Sequence, residues 1–426
     1  MSQKWLSVVG VGLEGIAGIS DRARAAVLSA EVIIGGSRHL SMVGLPASAK
    51  RIAWETPLAK TIEGITARRG QRVVILATGD PMHYGIGVTL ARHFTLVEME
   101  VWPQPSAFSL AAARLGWPLS HCHCLTIHGR SLNQLHRYLQ HGSRLLILSE
   151  DQTSPAAVAE LLTRAGCGTS IITILGEMAN GGGESLRLEV MAEQGHSSLS
   201  GVTIPDLNCL AVQIRRTEGH DLSLAAGLGD QNYETESRYQ LLTKQPIRAL
   251  VLALLAPQAG DCLWDIGAGS GSVGIEFLRL LLGSSGSGFG LSAPRAFAIE
   301  KDDERRAIIA NNAARLGVPE LTIIGGEADR VIDSLPDPTV VFIGGGLGRA
   351  GLVAKLWQRL ASGGRMVATA VTLEGEESLR AAERQFGGEL LRIAVTRAES
   401  LSPESRVWRP SLPVTLWHSK KQDSLV

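Results

Sequence analysis

The sequence predicts an α/β protein built as two successive modules, and three observations carry that expectation. Strand-like and helical segments alternate along almost the whole chain, the pattern of layered α/β domains. Near the start of each half an apolar strand runs into a glycine-rich turn, at Gly10-Val-Gly12-Leu-Glu-Gly15 and at Asp265-Ile-Gly267-Ala-Gly269-Ser-Gly271. Between the halves, residues 217–236 are polar, contain glycines and show no sustained period, as an interdomain linker does. With 426 residues, 45% of them apolar and 19% charged, the chain can fill a core in each module.

In chain order, strands are expected at residues 6–9, 32–34, 72–77 and 97–101, with helices at 20–30 and 85–93. Gly79-Asp80-Pro81 forms a tight turn in which Asp80 can bond local backbone amides. A second block follows Pro118, with strands at 122–127, 144–148, 171–175 and 209–214. The first module therefore spans residues 1–216, in lobes of about 1–118 and 119–216. After the 217–236 linker, the second module (237–426) opens on a helix at 247–255. Its strands fall at 262–266, 296–300, 321–324 and 340–343, and the serine- and glycine-rich stretch 284–294 reads as a flexible surface loop.

Composition narrows the function classes. Lysine plus arginine equals aspartate plus glutamate, 41 each, with no basic stripe, so no nucleic-acid partner is expected. An aromatic fraction of 4% argues against base-stacking platforms. No uninterrupted apolar run reaches roughly 18 residues, so no membrane span is expected. Residues 5–10 enter a strand pattern at once, so no signal peptide is expected. Five scattered cysteines fit a reducing, cytoplasmic setting. His121-Cys-His-Cys124 is expected to be a strand rather than a metal site. Alternating residues of a strand face opposite sides, and no second cysteine pair follows at zinc spacing.

The two turns suggest ligand chemistry. Glycines permit positive φ and close backbone approach, and a helix start offers free N–H groups. The second turn is G-x-G-x-G behind an acid, not the G-x-G-x-x-G of dinucleotide folds. Asp265 with bare backbone at Gly267, Gly269 and Gly271 suits an amino-acid moiety and a ribose, although an NAD reading stays open. Gly10 to Gly15 does match G-x-G-x-x-G. The following strand, however, ends in Gly35-Gly36-Ser37-Arg38, without the acid that a dinucleotide ribose needs. In the second module Glu300 ends a strand, and a carboxylate there can accept two hydrogen bonds from a ligand. Glu327 or Ala328 stands after the next strand, and Gly344 and Gly345 after the fourth, where a bulky acceptor needs room. Glu300 and Glu327 also suit solvated helix-start acids.

The first glycine turn, Gly79-Asp80-Pro81, Pro103-Gln-Pro-Ser106 and His128-Gly-Arg130 together resemble the motifs of the tetrapyrrole methylase (class III methyltransferase) family. Val32-Ile-Ile-Gly-Gly-Ser-Arg-His-Leu40 is similar to the cobalamin-pathway branch that methylates carbon 5. Leu263-Trp-Asp-Ile-Gly-Ala-Gly-Ser-Gly-Ser-Val273, with Phe342-Ile-Gly-Gly345, resembles class I S-adenosylmethionine (SAM) methyltransferases, and among them the one that methylates carbon 15 and decarboxylates an acetate. The resemblance covers residues 5–215 and 228–415. It departs at Thr243-Lys-Gln-Pro246, where proline replaces the glutamate of a capping box, and at Leu13 and Glu14, where the family often has proline and a small residue.

The resemblance implies a two-lobed tetrapyrrole methylase module followed by a Rossmann-like class I methyltransferase domain. It implies SAM-dependent methylation of a precorrin-6-type tetrapyrrole at carbons 5 and 15, with loss of one acetate carboxyl. SAM is the implied cofactor, held by Gly10, Gly12, Gly79, Asp80 and Ser106 in the first module and by Asp265, Gly267, Gly269, Gly271, Glu300, Glu327 and Ala328 in the second. The anionic tetrapyrrole would meet Arg38, His83, Tyr84, Lys244, Gly344 and Gly345. Catalytic candidates are Arg130 and Arg349 for carboxylates and His39 and His128 for protons. No metal is implied, and a homo-oligomer is. Another tetrapyrrole or RNA methylase, or a non-catalytic tetrapyrrole-binding protein, remains the alternative.

Overall fold

A computed structural model describes residues 4–179, 183–216, 223, 225–236, 242–284, 293–349 and 351–422. Most of the expected loop at 284–294 and the first part of the expected linker therefore lie outside the described residues. The chain divides into two compact units, Met1–Arg130 with His141–Thr217, and Ser131–Gln140 with Glu218–Val426.

In the first unit, aliphatic runs form β1 (Leu6–Val11), β2 (Val32–Gly35), β3 (Lys50–Ala53), β4 (Val73–Thr78) and β5 (Met99–Trp102). They make a parallel sheet in the order β3-β2-β4-β1-β5. Continuous apolar runs are what such a sheet needs, because helices cover both faces. Alternation sorts the side chains: Val9, Val11, Ile33, Val74 and Leu76 pack on one face, and Leu6, Val8, Val32, Ile34 and Ile75 on the other. The helix expected at 20–30 is Asp21–Leu28, capped by Ser20, whose hydroxyl accepts the Ala23 N–H at 3.3 Å. The helix expected at 85–93 is shorter, Ile86–Leu90.

The second sheet of this unit holds β6 (His123–Thr126), β7 (Arg144–Leu148), β8 (Ile171–Gly176), β9 (Leu186–Met191) and β10 (Asn208–Gln213), in the order β6-β7-β10-β8-β9. β6 pairs parallel with β7, and the other pairings are antiparallel. The edge strands β3 and β9 were not expected. β3 is mostly exposed, so it lacks the apolar run that marks its neighbours.

The second unit carries β11 (Cys262–Ile266), β12 (Arg295–Glu300), β13 (Thr322–Gly325), β14 (Val340–Ile343), β15 (Arg365–Ala370) and β16 (Glu389–Ile393). A hairpin of β17 (Thr396–Ser402) and β18 (Ser405–Pro410) leads to β19 (Val414–Lys420). The sheet order is β13-β12-β11-β14-β15-β19-β16, with β19 antiparallel to both neighbours. The order reverses between β11 and β14, the switch point at which open α/β sheets bind ligands. Trp264 and Trp417 are wholly buried in its core.

Two boundaries differ from the expectation. Residues 131–140 were expected in the second lobe of the first module, but they group with the second unit. There the Arg137 guanidinium pairs with Glu320 at 2.9 Å, and Gly317 lies so close that a β-carbon on it would sit 2.8 Å from the Arg137 nitrogen. Residues 225–236, expected in the linker, are a strap on the second unit. Glu276 accepts the Gly227 and Leu228 N–H groups at 2.5 and 3.1 Å and the Tyr233 hydroxyl at 2.8 Å. Arg248, wholly buried, donates to Glu276 at 2.5 Å and to Asp230 at 3.2 Å.

Candidate functional site

Each unit holds a large cavity at the carboxyl ends of its parallel strands. In the first unit a cavity of about 780 Å³ is lined from both sheets. It brings together Gly12, Arg38, His39, Gly79, Asp80, His83, Tyr84, Ser106, His128 and Arg130. Gly10 is not among the lining residues. A β-carbon there would lie 1.9 Å from the Gly79 carbonyl oxygen, so Gly10 lets β1 and the β4 turn touch. Gly79 itself has φ +60°, a conformation that favours glycine. Asp80 Oδ1 accepts the Met82 N–H at 2.8 Å, as the turn reading requires. Ser106 caps the helix Ala107–Leu115, accepting the Ser109 N–H at 3.2 Å.

The charged groups of this cavity are partly committed. Arg38 donates to Thr78 Oγ1 at 2.9 Å. His39 Nε2 lies 3.2 Å from the same oxygen. Burial, helped by the Arg38 charge, lowers the His39 pKa to about 4. His39 is therefore neutral at pH 7 and does not suit the proton exchange near neutrality expected of it. His83 is lowered as well, mainly by burial, and packs against Phe108 at 4.6 Å between ring centres. The Tyr84 hydroxyl donates to the Cys124 carbonyl at 2.9 Å, and the Arg130 guanidinium lies over the Tyr84 ring at 5.1 Å. His128 and Arg130 are exposed.

The second unit's cavity, about 710 Å³, is lined by Lys244, Gly267, Gly269, Glu300, Glu327, Ala328, Gly344, Gly345 and Arg349. Asp265 and Gly271 are not among its lining residues. Asp265 sits behind the turn, wholly buried, with Oδ2 accepting the Gly274 N–H at 2.9 Å. Loss of hydration raises its pKa to about 7, and Oδ1 is buried without a hydrogen-bond partner among the described residues. Its position supports the helix start rather than presenting a carboxylate to the cavity. Gly267, at φ +67°, packs on the next loop; a β-carbon there would lie 2.8 Å from the Gly345 Cα.

Glu300 is 5% exposed and faces the cavity. Its two oxygens accept the Gly269 N–H at 3.0 Å and the Asp302 N–H at 3.2 Å. An ionised carboxylate offers about four acceptor positions, so both oxygens keep capacity for ligand hydroxyls. Arg349, expected to meet a substrate carboxylate, already pairs with Glu327 and with Asp329, the latter at 3.0 Å. The Arg349 hydrogen bond in turn holds Glu327 below the usual carboxylate range. Lys244 precedes the helix Gln245–Leu255, which carries Pro246 in its first turn and has no side-chain cap from Lys244. Sequence reasoning missed Glu150, Glu177 and Asp206 in the first cavity and Lys301 and Arg305 in the second. Glu177 directly follows β8 and Lys301 directly follows β12, so a search of every strand end would have found those two.

These features define a class: a two-module methyltransferase, with an amino-terminal tetrapyrrole methylase fold and a carboxy-terminal Rossmann-like fold. The family model for tetrapyrrole (corrin/porphyrin) methylases matches residues 6–174. The model for the precorrin methyltransferase domain matches residues 233–421. A precorrin-6Y C(5,15)-methyltransferase (decarboxylating) of Sinorhizobium sp is 40% identical over 97% of this chain and 95% of its own. One of Mycobacterium tuberculosis is 34% identical over 97% of this chain and 99% of its own. A cobalt-precorrin-7 C(5)-methyltransferase of Salmonella typhimurium is 29% identical over 43% of this chain and 86% of its own. The chain belongs to the precorrin-6Y C(5,15)-methyltransferase (decarboxylating) family.

Proposed function

We propose that the chain methylates a precorrin-6-type tetrapyrrole at carbon 5 in the first unit, and at carbon 15 with decarboxylation of an acetate side chain in the second, as a step of cobalamin biosynthesis. The observation that carries this reading is the pair of cavities, about 780 and 710 Å³, one in each unit and each built around its own glycine turn. The single module of the C(5)-methyltransferase relative, covering 43% of this chain, supports assigning one methylation to one unit.

SAM, the donor we assign to both cavities, supplies an electrophilic methyl on a sulfonium sulfur. The chain's own work is to bind, orient and exclude water. In the second cavity Glu300 would accept the ribose hydroxyls, and Glu327 and Ala328 would hold the adenine. Gly344 and Gly345 leave space for the ring beside the methyl. Asp265 acts only through the helix start it holds. In the first cavity Gly12, Gly79, Asp80 and Ser106 shape the donor end. Arg38 and Arg130 in the first cavity, and Lys244 in the second, meet the anionic rim of the substrate through charge-assisted hydrogen bonds. Arg349 does so by exchanging Glu327 and Asp329 for a substrate carboxylate. The reacting ring carbon must come within roughly 3–3.5 Å of the methyl, in line with sulfur. The conjugated ring serves as electron sink for decarboxylation.

No helix among the described residues is long and apolar enough to cross a membrane. The reading keeps a cytoplasmic homo-oligomer without nucleic acid. The test is mass analysis of the product from a precorrin-6-type substrate and SAM. Two added methyl groups and one lost carbon dioxide support the reading; a product with neither methyl added refutes it.

A further inference from the structure

We propose that Glu177 takes the proton that leaves carbon 5 after methyl transfer in the first cavity, an inference that rests on the carbon-5 reading above. Four carboxylates line this cavity: Asp80, Glu150, Glu177 and Asp206. Three hold backbone. Asp80 accepts the Met82 N–H at 2.8 Å, Glu150 the Gly129 N–H at 2.9 Å and Asp206 the Gln152 N–H at 3.4 Å. Among the described residues no donor is hydrogen-bonded to the Glu177 carboxylate, and its charged neighbour is Arg38.

The backbone singles out the same residue. Glu177 has φ +44°, in the left-handed region, where among the described residues only Tyr84 and Ala256 join it outside glycine. Tyr84 lines the same cavity. Non-glycine residues in that region are strained, and such strain gathers where a side chain must be aimed at a ligand. The Glu177 N–H donates to the Leu207 carbonyl at 2.9 Å, which holds the turn beyond β8. A glycine would satisfy that backbone without strain, so the carboxylate is not there for the fold. Two of the imidazoles are already engaged: His39 Nε2 lies 3.2 Å from Thr78 Oγ1, and the His83 ring packs against Phe108.

The chemistry balances. A ring π pair forms the new carbon–carbon bond, and the methyl–sulfur bond breaks with its pair left on sulfur. The proton on the methylated carbon then passes to a Glu177 oxygen, and the C–H pair returns to the ring. Positioned bases contribute about 10²–10⁴-fold to rate.

The test uses the full chain, Glu177→Gln and Glu177→Gly, the second of which also relieves the backbone. The measurements are carbon-5 methylation kinetics, thermal melting and SAM calorimetry. We expect kcat to fall at least about 100-fold in both variants with KM within about threefold, the size of a lost general base. Melting and SAM binding stay as in the unchanged chain, and added formate recovers rate in Glu177→Gly. The proposal is overturned by kcat retained within about threefold in Glu177→Gln, by a loss confined to KM, by lost SAM binding in both variants, or by no formate rescue. Failure of the unchanged chain to methylate carbon 5 would overturn the reading of the cavity along with it.

Discussion

In the first unit the glycine turn meets its neighbouring strand end through bare backbone, with Gly10 pressed against the Gly79 carbonyl, while Glu150 holds the Gly129 N–H beside the other sheet. In the second unit acids share that work. Glu300 on β12 holds the Gly269 N–H, Asp265 on β11 holds the Gly274 N–H, and Glu276 on the following helix holds the strap. The two glycine turns are thus seated differently: by close backbone contact in the first unit, and by close contact at Gly267 together with buried carboxylates in the second. A turn seated by contact responds to added volume. A turn seated by buried carboxylates responds also to lost carboxylates, lost partners and pH.

The largest expected effect is at the buried pair of the second unit. Arg248→Met leaves Glu276 buried without its cation. Removing one partner of a buried ion pair costs about 3–5 kcal/mol. Chemical denaturation followed in the separate units should show that loss in the second unit only. A variant as stable as the unchanged chain would mean that the pair does not hold the strap.

Gly10→Ala comes next and addresses the first unit. The added methyl meets a backbone carbonyl, and overpacking of this kind costs typically about 1–3 kcal/mol. Carbon-5 methylation should be lost well before carbon-15 methylation; equal loss of both would break the contrast.

Asp265 sharpens the contrast by pH. Its folded pKa is raised to about 7 from 3.8. Between these values the unfolded chain is ionised at this residue while the folded chain keeps its proton. The contribution is therefore full below pH 3.8 and is lost as pH rises through about 7. Melting of the second unit should fall over that window, and Asp265→Asn should flatten the fall. An unchanged pH profile in the variant would show that another group is responsible.

The two glycine turns, the Gly79-Asp80-Pro81 turn and Glu300 were legible because each sits in one short run that combines a strand, a turn and a polar group. The strap was not. Its polar, aperiodic residues 225–236 look like a linker, and what holds it lies far along the chain, in Arg248 and Glu276. Asp265 was read as a ligand because spacing tells which residue ends a strand but not which side of the turn its carboxylate faces. The reading of strands stopped at residue 343. β16 pairs only with β19, on the far side of the β17–β18 hairpin, so its partner lies far along the chain. Arg349 was found, but its partners Glu327 and Asp329 stand about 20 residues earlier, beyond what local pattern can join.

The most direct test of two independent donor sites is SAM calorimetry on the full chain and on Glu300→Ala, with product mass analysis alongside. Hydrogen bonds to a charged group contribute roughly 1.5–3 kcal/mol each, and about 1.4 kcal/mol is a tenfold change in affinity. The account predicts about two binding events in the unchanged chain, following the two cavities. In Glu300→Ala one event should weaken by about ten- to hundredfold while the other is unaltered, and the product should carry the carbon-5 methyl and keep its acetate carboxyl. A single event in the unchanged chain, or loss of both methylations in a folded Glu300→Ala, would contradict it.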